Sequence, residues 1–138
     1  MEIVLHPNFI IGLTSELKVA SWYSENGYSI YWPLSTQSRC DFLAERDGNF
    51  TKVQVKKATW SQTGPNKYLQ CRLMSRNKHS RWYVEGDFDE IVFIDDANRM
   101  WRTTFDVVKD LVSVALDGTK EGYKTRSVLY DPNEWRIN

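Results

Sequence analysis

The chain of 138 residues lacks the sequence features that are typical of several specialised protein classes. Its two cysteines, Cys40 and Cys71, are too few for a disulfide scaffold and favour a reducing, intracellular setting. It has no apolar run long enough for a membrane helix and no amino-terminal pattern typical of a signal peptide. Hydrophobic residues make up 41% and charged residues 26%, which excludes a disordered, collagen-like or coiled-coil chain. We expect one cytoplasmic globular domain over residues 1–138, without a membrane partner.

Sequence motifs of several common functional classes are also missing. His6 and His79 lie far apart and, with the two cysteines, lack the spacing of a zinc site. The chain has no glycine-rich phosphate-binding loop and no Gly-X-Ser-X-Gly sequence. These absences argue against a zinc domain, a P-loop protein and a serine hydrolase of the nucleophile-elbow type.

The charges sum to zero but are unevenly distributed. Residues 46–82 contain nine basic residues and one acidic residue, a net charge of +8, whereas residues 83–100 carry −5. A strongly basic middle in a neutral chain is typical of a surface that contacts a polyanion. A solvated charged face gives the same pattern, so the charge alone leaves both interpretations open.

The hydrophobic pattern predicts an α+β fold with a mixed sheet. A helix is expected over 12–26, and its buried stripe comprises Leu13, Leu17, Ala20 and Tyr23. Strands are expected at 28–32, 40–45, 50–58, 68–74, 91–94 and 100–104. Residues 106–116 are ambiguous between helix and strand, and the tail is expected to be irregular but held by Trp135.

The dipeptide Asp47-Gly48 predicts a hairpin turn, and the turn fixes a register. If it has two residues, Asp41 faces Gln54, and Lys56 points to the same face of the sheet. The other face then carries apolar pairs that belong to the core, namely Phe42–Val53, Cys40–Val55 and Ala44–Thr51. The polar face is either an exposed hairpin surface or the beginning of a site.

Glu16 is a further carboxylate, in the first turn of the predicted helix and at the margin of its apolar stripe. It is either a partner of the helix dipole or a side chain that leans over the Asp41 face. With Gln54, the two carboxylates offer the oxygen ligands that Mg²⁺ prefers. Such a cation activates water and neutralises a phosphate, and Lys56 is placed to orient that water or stabilise the transition state. This chemistry is phosphodiester hydrolysis.

The chain resembles the PD-(D/E)XK nuclease superfamily at these residues. The resemblance covers about residues 10–60 and is greatest to small homing-endonuclease and Holliday-junction-resolvase-like members. It is carried by Ser15-Glu16, Gly27-Tyr28, Asp41-Phe42-Leu43-Ala44 and Val53-Gln54-Val55-Lys56-Lys57-Ala58. The family has an α-β-β-β-α-β core with an acid on the first helix and the motif on a hairpin.

This resemblance implies that Glu16, Asp41, Gln54 and Lys56 are catalytic, the first three as ligands of Mg²⁺, for which Mn²⁺ can substitute. The chain departs from the motif at two positions, because Cys40 replaces a proline and Gln54 replaces an acid. Glutamine lowers the negative charge of the site and should weaken metal affinity. Some family members use glutamine there, among them intron-encoded homing endonucleases, so we interpret the site as active.

The implied function is metal-dependent endonucleolytic cleavage of double-stranded DNA, sequence-specific and of the homing-endonuclease or phage type. Seven residues are candidates for DNA contact, namely Lys57, Lys67, Arg72, Arg76, Asn77, Lys78 and Arg81. Cutting both strands needs two active sites, so we expect a homodimer or homotetramer, associated with the nucleoid through DNA.

Three alternatives remain open. A Holliday-junction resolvase would share the fold and the site but read branched DNA shape. A catalytically inactive DNA-binding module would explain Gln54, although the retained Glu16, Asp41 and Lys56 argue against it. A structural or interaction protein would use the 19 aromatic residues as surface anchors. A cleavage assay on duplex and four-way-junction DNA separates all three.

Overall fold

The structure of the chain, a computed structural model, describes residues 6–35, 37–73, 83–118 and 130–138. These residues form the α+β fold with a mixed sheet that the sequence predicts. In chain order the elements are α1 (Pro7–Glu25), β1 (Ser29–Tyr31), β2 (Phe42–Arg46), β3 (Asn49–Lys57), β4 (Thr59–Thr63), β5 (Asn66–Arg72), β6 (Glu90–Ile94), β7 (Met100–Thr104), α2 (Phe105–Val108), β8 (Ser113–Gly118) and a 3₁₀ helix (Pro132–Trp135). None of the described helices is long and apolar enough to cross a membrane.

The described strands form two sheets. The larger has the order β1–β2–β3–β6–β7, in which β3 and β6 run parallel and the other neighbours run antiparallel. The smaller is antiparallel, with the order β4–β5–β8. Parallel neighbours cannot be joined by a tight turn. The connection from β3 to β6 therefore has room for the hairpin β4–β5.

The larger sheet is covered on both faces. α1 packs on one face in a buried cluster of Val19, Ala20, Tyr23, Phe42, Ala44, Val53, Val55, Val92, Ile94 and Met100. The smaller sheet covers the other face, where Leu69, Val114 and Leu116 pack with Ile91, Phe93 and Trp101. In central strand β3 the consecutive residues Val53, Gln54 and Val55 are all buried as a result.

Helix α1 confirms the predicted helix but begins five residues earlier. Pro7 occupies the first turn, where a missing N–H removes no helical hydrogen bond. The His6 side chain caps the helix by accepting a 3.2 Å hydrogen bond from the Asn8 N–H. The longer helix places Glu16 near its middle, so the predicted first-turn position of Glu16 is wrong, and with it the helix-dipole interpretation.

The buried face of α1 comprises Ser15, Val19, Ala20 and Tyr23. Leu13 and Leu17, which the pattern assigns to the core, are 39% and 53% exposed. Two rows of apolar residues run along this helix, and spacing alone does not show which row meets the sheet. The row that carries Tyr23 is buried because its ring packs edge-on against Phe42 of β2.

The hairpin β2–β3 forms as the sequence predicts. Asp47 and Gly48 both have positive φ, 54° and 79°, which is the backbone of a type I′ turn. The register pairs Phe42 with Val53 and Ala44 with Thr51. The core face and the opposite face of this hairpin are therefore those expected from the turn.

Two segments differ from the prediction. The sequence does not predict strand β4, because Thr59–Thr63 is polar and the Gly64 turn after it indicates only a loop. The ambiguous segment 106–116 divides between the end of α2 and the beginning of β8. The family order places a helix between the strands that correspond to β3 and β6. The described residues of that connection form a hairpin, and residues 74–82 of it lie outside the description.

Gly118 closes the pairing of β8 with β5, and we expect Gly118→Ala to destabilise the fold. Its φ is +117°, and an added Cβ would lie against the Lys67 carbonyl oxygen and 2.5 Å from Tyr68 Cα. The strain should cost about 2–4 kcal/mol of unfolding free energy, or roughly 10 °C in Tm. Thermal unfolding measures it. Gly12→Ala is the control, because an added Cβ there has nothing within 4 Å and helix propensity improves. Equal effects would contradict the assigned strain.

Candidate active site at the end of strand β2

Asp41 lies just before β2, where the pairing of β2 with β3 ends. Its N–H donates to Val53 O at 2.8 Å, and its Oδ2 accepts the Val55 N–H at 2.7 Å. The ladder ends at Phe42, so the predicted pairs of Asp41 with Gln54 and of Cys40 with Val55 do not form. The physical reason is that the Asp41 carboxylate, instead of a further backbone carbonyl of β2, accepts the Val55 N–H of β3. The side chain is thereby fixed.

Glu16 reaches Asp41 from helix α1. The two carboxyl groups lie close enough to interact. Burial first, and then the neighbouring Asp41 carboxyl group, raise the pKa of Glu16 to about 7. Below that pH Glu16 is protonated, and above it two negative charges lie near each other.

Gln54 is on the opposite face of β3 from Val53 and Val55, and it is only 8% exposed. Its Nε2 lies 3.4 Å from Val55 O, the long end of a hydrogen bond. The smaller sheet covers this face, so the interpretation of an exposed polar hairpin surface is wrong. The buried Gln54 amide instead lies one residue before Val55, whose N–H donates to the Asp41 carboxylate.

Lys56 follows on the same face as Gln54 and is partly buried. Its Nζ lies 6.0 Å from the centre of the Tyr83 ring, and its charge reaches the buried thiol of Cys71. Burial dominates at that thiol and raises the pKa of Cys71 to about 12, so it stays protonated at neutral pH. Lys56 is thus held between the hairpin and the loop that contains Tyr83.

The structure brings the four predicted site residues to one stretch of β3 but not to one face. Glu16 and Asp41 meet on the α1 side and at the edge of β3, whereas Gln54 and Lys56 project to the side of the smaller sheet. The stretch from Gln54 to Lys56 is the common centre. The grouping follows from β2 ending early, which leaves this part of β3 open at its edge.

The donor atoms suit a divalent cation. Because the Glu16 carboxyl group beside Asp41 holds its proton up to about pH 7, a cation can take the place of that proton. Mg²⁺ typically takes one or two carboxylates, further oxygen ligands and several waters. The described residues contain no cluster of three His, Cys, Asp or Glu side chains, so Glu16 and Asp41 are the candidate carboxylate ligands among them.

The predicted DNA-contact residues are only partly described. Lys57 forms a 2.6 Å ion pair with Asp96, and Lys67 lies over the Trp60 ring at 5.3 Å. Arg72 is exposed at the end of β5. The other four lie outside the described residues, namely Arg76, Asn77, Lys78 and Arg81.

Sequence reasoning missed Arg39 and Tyr83. The Arg39 guanidinium lies 5.1 Å from the centre of the Tyr83 ring, the same ring that Lys56 approaches. Arg39 is two residues before Asp41, which is the one signal the sequence offers. Tyr83 is far from the motif in the chain, and only the packing of its loop brings it here.

Comparison with known proteins places this geometry in a family. A family model described as PD-(D/E)XK endonuclease matches residues 10–137. The chain is 34% identical over 120 residues to Protein 5.3 of Escherichia phage T7, which covers 87% of this chain and 99% of that protein. Its fold is similar to that of the bacterial homing endonuclease I-Ssp6803I, with a TM-score of 0.74, 18% identity and coverage of 95% of this chain and 89% of that one. The chain belongs to the PD-(D/E)XK endonuclease family.

Proposed function

We propose that the protein is a metal-dependent endonuclease that hydrolyses phosphodiester bonds in double-stranded DNA. The observation that carries the proposal is the contact of Glu16 with Asp41 at the open edge of β3, beside Gln54 and Lys56. Two carboxylates held in contact by a folded scaffold are costly without a cation, which is typical of a functional site. The family supports the same chemistry.

Each site residue has a distinct role in this proposal. Asp41 and Glu16 bind the cation through carboxylate oxygens, and Gln54 contributes its neutral amide oxygen. The cation, Mg²⁺ or Mn²⁺, supplies charge neutralisation at the scissile phosphate and a more acidic water. Lys56 places a positive charge beside the same phosphate and stabilises the negative charge that develops there.

The DNA is held by the basic segment 46–82 through its positive charges. Of the proposed contact residues that the structure describes, Lys67 and Arg72 form no ion pair with a described acidic residue. Lys57 must exchange its ion pair with Asp96 for a phosphate. Each such contact releases a counterion, so binding weakens as salt increases.

Cleavage is proposed to be sequence-specific and to involve two copies of the chain. A solved structure of similar fold is a homing endonuclease, which favours cleavage of defined sites in double-stranded DNA. One active site per chain requires a homodimer or homotetramer to cut both strands. Apolar side chains exposed on α1 are available to such assembly, namely Ile10, Ile11, Leu13 and Leu17. The same function implies an intracellular location at the nucleoid.

A cleavage assay tests the proposal. The full chain is incubated with supercoiled plasmid, genomic DNA and a synthetic four-way junction, each with Mg²⁺, with Mn²⁺ and with EDTA. Discrete fragments that need the metal support the endonuclease. Paired nicks in the junction alone identify a resolvase. Binding of duplex without cleavage in any metal identifies an inactive binding module and overturns the proposal.

Gln54→Glu should strengthen metal binding while lowering the stability of the metal-free protein. Gln54 is 8% exposed, so an added negative charge beside Asp41 is unfavourable until a cation neutralises it. We expect a lower Tm in EDTA and a larger rise in Tm with Mg²⁺ than in wild type, measured at pH 8, above the pKa of Glu16. An unchanged metal-induced rise would put Gln54 outside the ligand set. Gln70→Glu in β5 is a control, because its amide bonds Ser61 Oγ away from the site.

A further inference from the structure

Arg39 and Lys56 lie against one aromatic ring at the edge of the candidate site. The Arg39 guanidinium carbon is 5.1 Å from the centre of the Tyr83 ring, and the Lys56 Nζ is 6.0 Å from the same centre. Two positive charges that converge on one ring repel each other, and Asp87 lies beside only one edge of the Arg39 guanidinium. The arrangement therefore points to a negatively charged ligand between the loop before β2 and the end of β3.

The Tyr83 ring is a fixed platform. It packs edge-on against Phe88, with ring centres 4.9 Å apart, and Phe88 is fully buried. The loop after Tyr83 is closed by two hydrogen bonds, Val84 N–H to Asp87 Oδ2 at 2.9 Å and Asp87 N–H to Val84 O at 3.0 Å. A ring held in this way defines the position of the cations that contact it.

Arg39 is oriented but not fully engaged. Its Nε lies 3.5 Å from Asp87 Oδ2, its side chain is 39% exposed, and Asp87 is 8% exposed. Its two terminal nitrogens have no hydrogen-bond partner within the part of the chain that the structure describes. The Asp87 carboxylate thus holds one edge of the guanidinium and leaves the fork of terminal N–H groups for a ligand.

We propose that Arg39 binds a backbone phosphate of the DNA next to the scissile bond. The proposal rests on the proposed function, because the anion is taken to be DNA. Arg39 comes two positions before Asp41, so their Cα atoms are at most about 7 Å apart, and the ligand of Arg39 lies close to the proposed metal-binding carboxylates. A guanidinium binds phosphate through two parallel hydrogen bonds, which adds direction to charge.

The test compares two arginines that have the same type of contact. Arg39→Gln is the test variant and Arg136→Gln is the matched control, because Arg136 also lies over an aromatic ring, 5.1 Å from that of Trp101, but outside the basic segment 46–82. Binding to a 40-base-pair duplex of random sequence is measured in EDTA at increasing salt. Cleavage is measured with Mg²⁺ at saturating and subsaturating DNA.

Arg39→Gln should reduce the log–log salt slope by about 0.9, which is one phosphate contact, and should lower kcat about 10- to 100-fold. Arg39→Lys should keep the slope and still lose about 10-fold in kcat, because an ammonium lacks the fork. Arg136→Gln should change kcat less than twofold. Unchanged slope and kcat in Arg39→Gln, or equal losses in both glutamine variants, would overturn the proposal.

Replacing Arg39 removes the positive charge beside Asp87 and can lower the stability of the fold. A second variant controls for this effect. In Arg39→Gln/Asp87→Asn both charges are gone, and the asparagine oxygen still accepts the Val84 N–H. This double variant should have the same Tm as Asp87→Asn alone and should not regain the wild-type slope or kcat. The outcomes also separate the two proposals. Metal-dependent cleavage without an Arg39 effect overturns only this inference, and a reduced slope without cleavage in wild type overturns only the catalytic function.

Discussion

Asp41→Asn will abolish DNA cleavage and leave the fold intact. The asparagine side chain keeps an oxygen that can accept the Val55 N–H now bonded to Asp41 Oδ2 at 2.7 Å. It loses the negative charge that we propose to bind the cation and that raises the pKa of Glu16. We expect cleavage to fall at least about 10³-fold, equivalent to about 4 kcal/mol of transition-state stabilisation.

The fold of Asp41→Asn should be as stable as wild type or slightly more so. Removal of the charge at Asp41 lets the pKa of Glu16 fall towards its ordinary value, which relieves the like-charge contact above about pH 7. A Tm within about 3 °C of wild type in EDTA, with the Mg²⁺-induced rise in Tm lost, is the expected result. DNA binding in EDTA should be unchanged or tighter, because the substitution removes a negative charge beside the phosphate.

Two results would contradict the role of Asp41. Cleavage within 10-fold of wild type would show that the carboxylate is not a metal ligand in the reaction. Loss of cleavage together with a large fall in Tm would assign Asp41 to the structure of the hairpin instead. Asp47→Asn in the turn is the matched control, since it makes the same chemical change where asparagine is equally suited to positive φ.

The hairpin could be predicted from the sequence because its determinants are local. A two-residue turn at Asp47 and Gly48 fixes the register, and alternation assigns each side chain to a face. The burial of Gln54 could not be predicted, because it depends on the smaller sheet, whose strand β8 comes about 60 residues later in the chain. The polar β4 also has no apolar alternation that would reveal it.

The site departs from the predicted geometry for a related reason. Register arithmetic extends the hairpin to Asp41, but the strand ladder ends at Phe42, and the Asp41 carboxylate bonds to the backbone of β3. Helix α1 brings Glu16 to the same point, a tertiary contact that spacing within the hairpin does not show. Sequence spacing predicted which residues meet, and packing determined how they meet. The missed Arg39 and Tyr83 belong to that second class.

Lys56→Met should lower cleavage by about 10²- to 10³-fold with little loss of stability. Methionine preserves the apolar stem of the side chain, which passes the partly buried side of β3, and removes the ammonium beside the Tyr83 ring. The lost charge would otherwise stabilise the phosphate as negative charge develops on it. The effect should fall on kcat, since this interaction strengthens in the transition state.

Three measurements on Lys56→Met establish the assignment. Single-turnover cleavage with Mg²⁺ gives the chemical step, binding in EDTA gives the DNA affinity, and thermal unfolding gives the stability. Lys57→Met is the control at the neighbouring position, because Lys57 points to the other face and pairs with Asp96. If the two variants lose cleavage equally, the basic segment acts as a whole and Lys56 has no catalytic role. If only Lys56→Met loses cleavage, and added salt does not cause the same loss in the wild type, the Lys56 ammonium group is the catalytic positive charge. It lies on β3, between the buried amide of Gln54 and the Tyr83 ring.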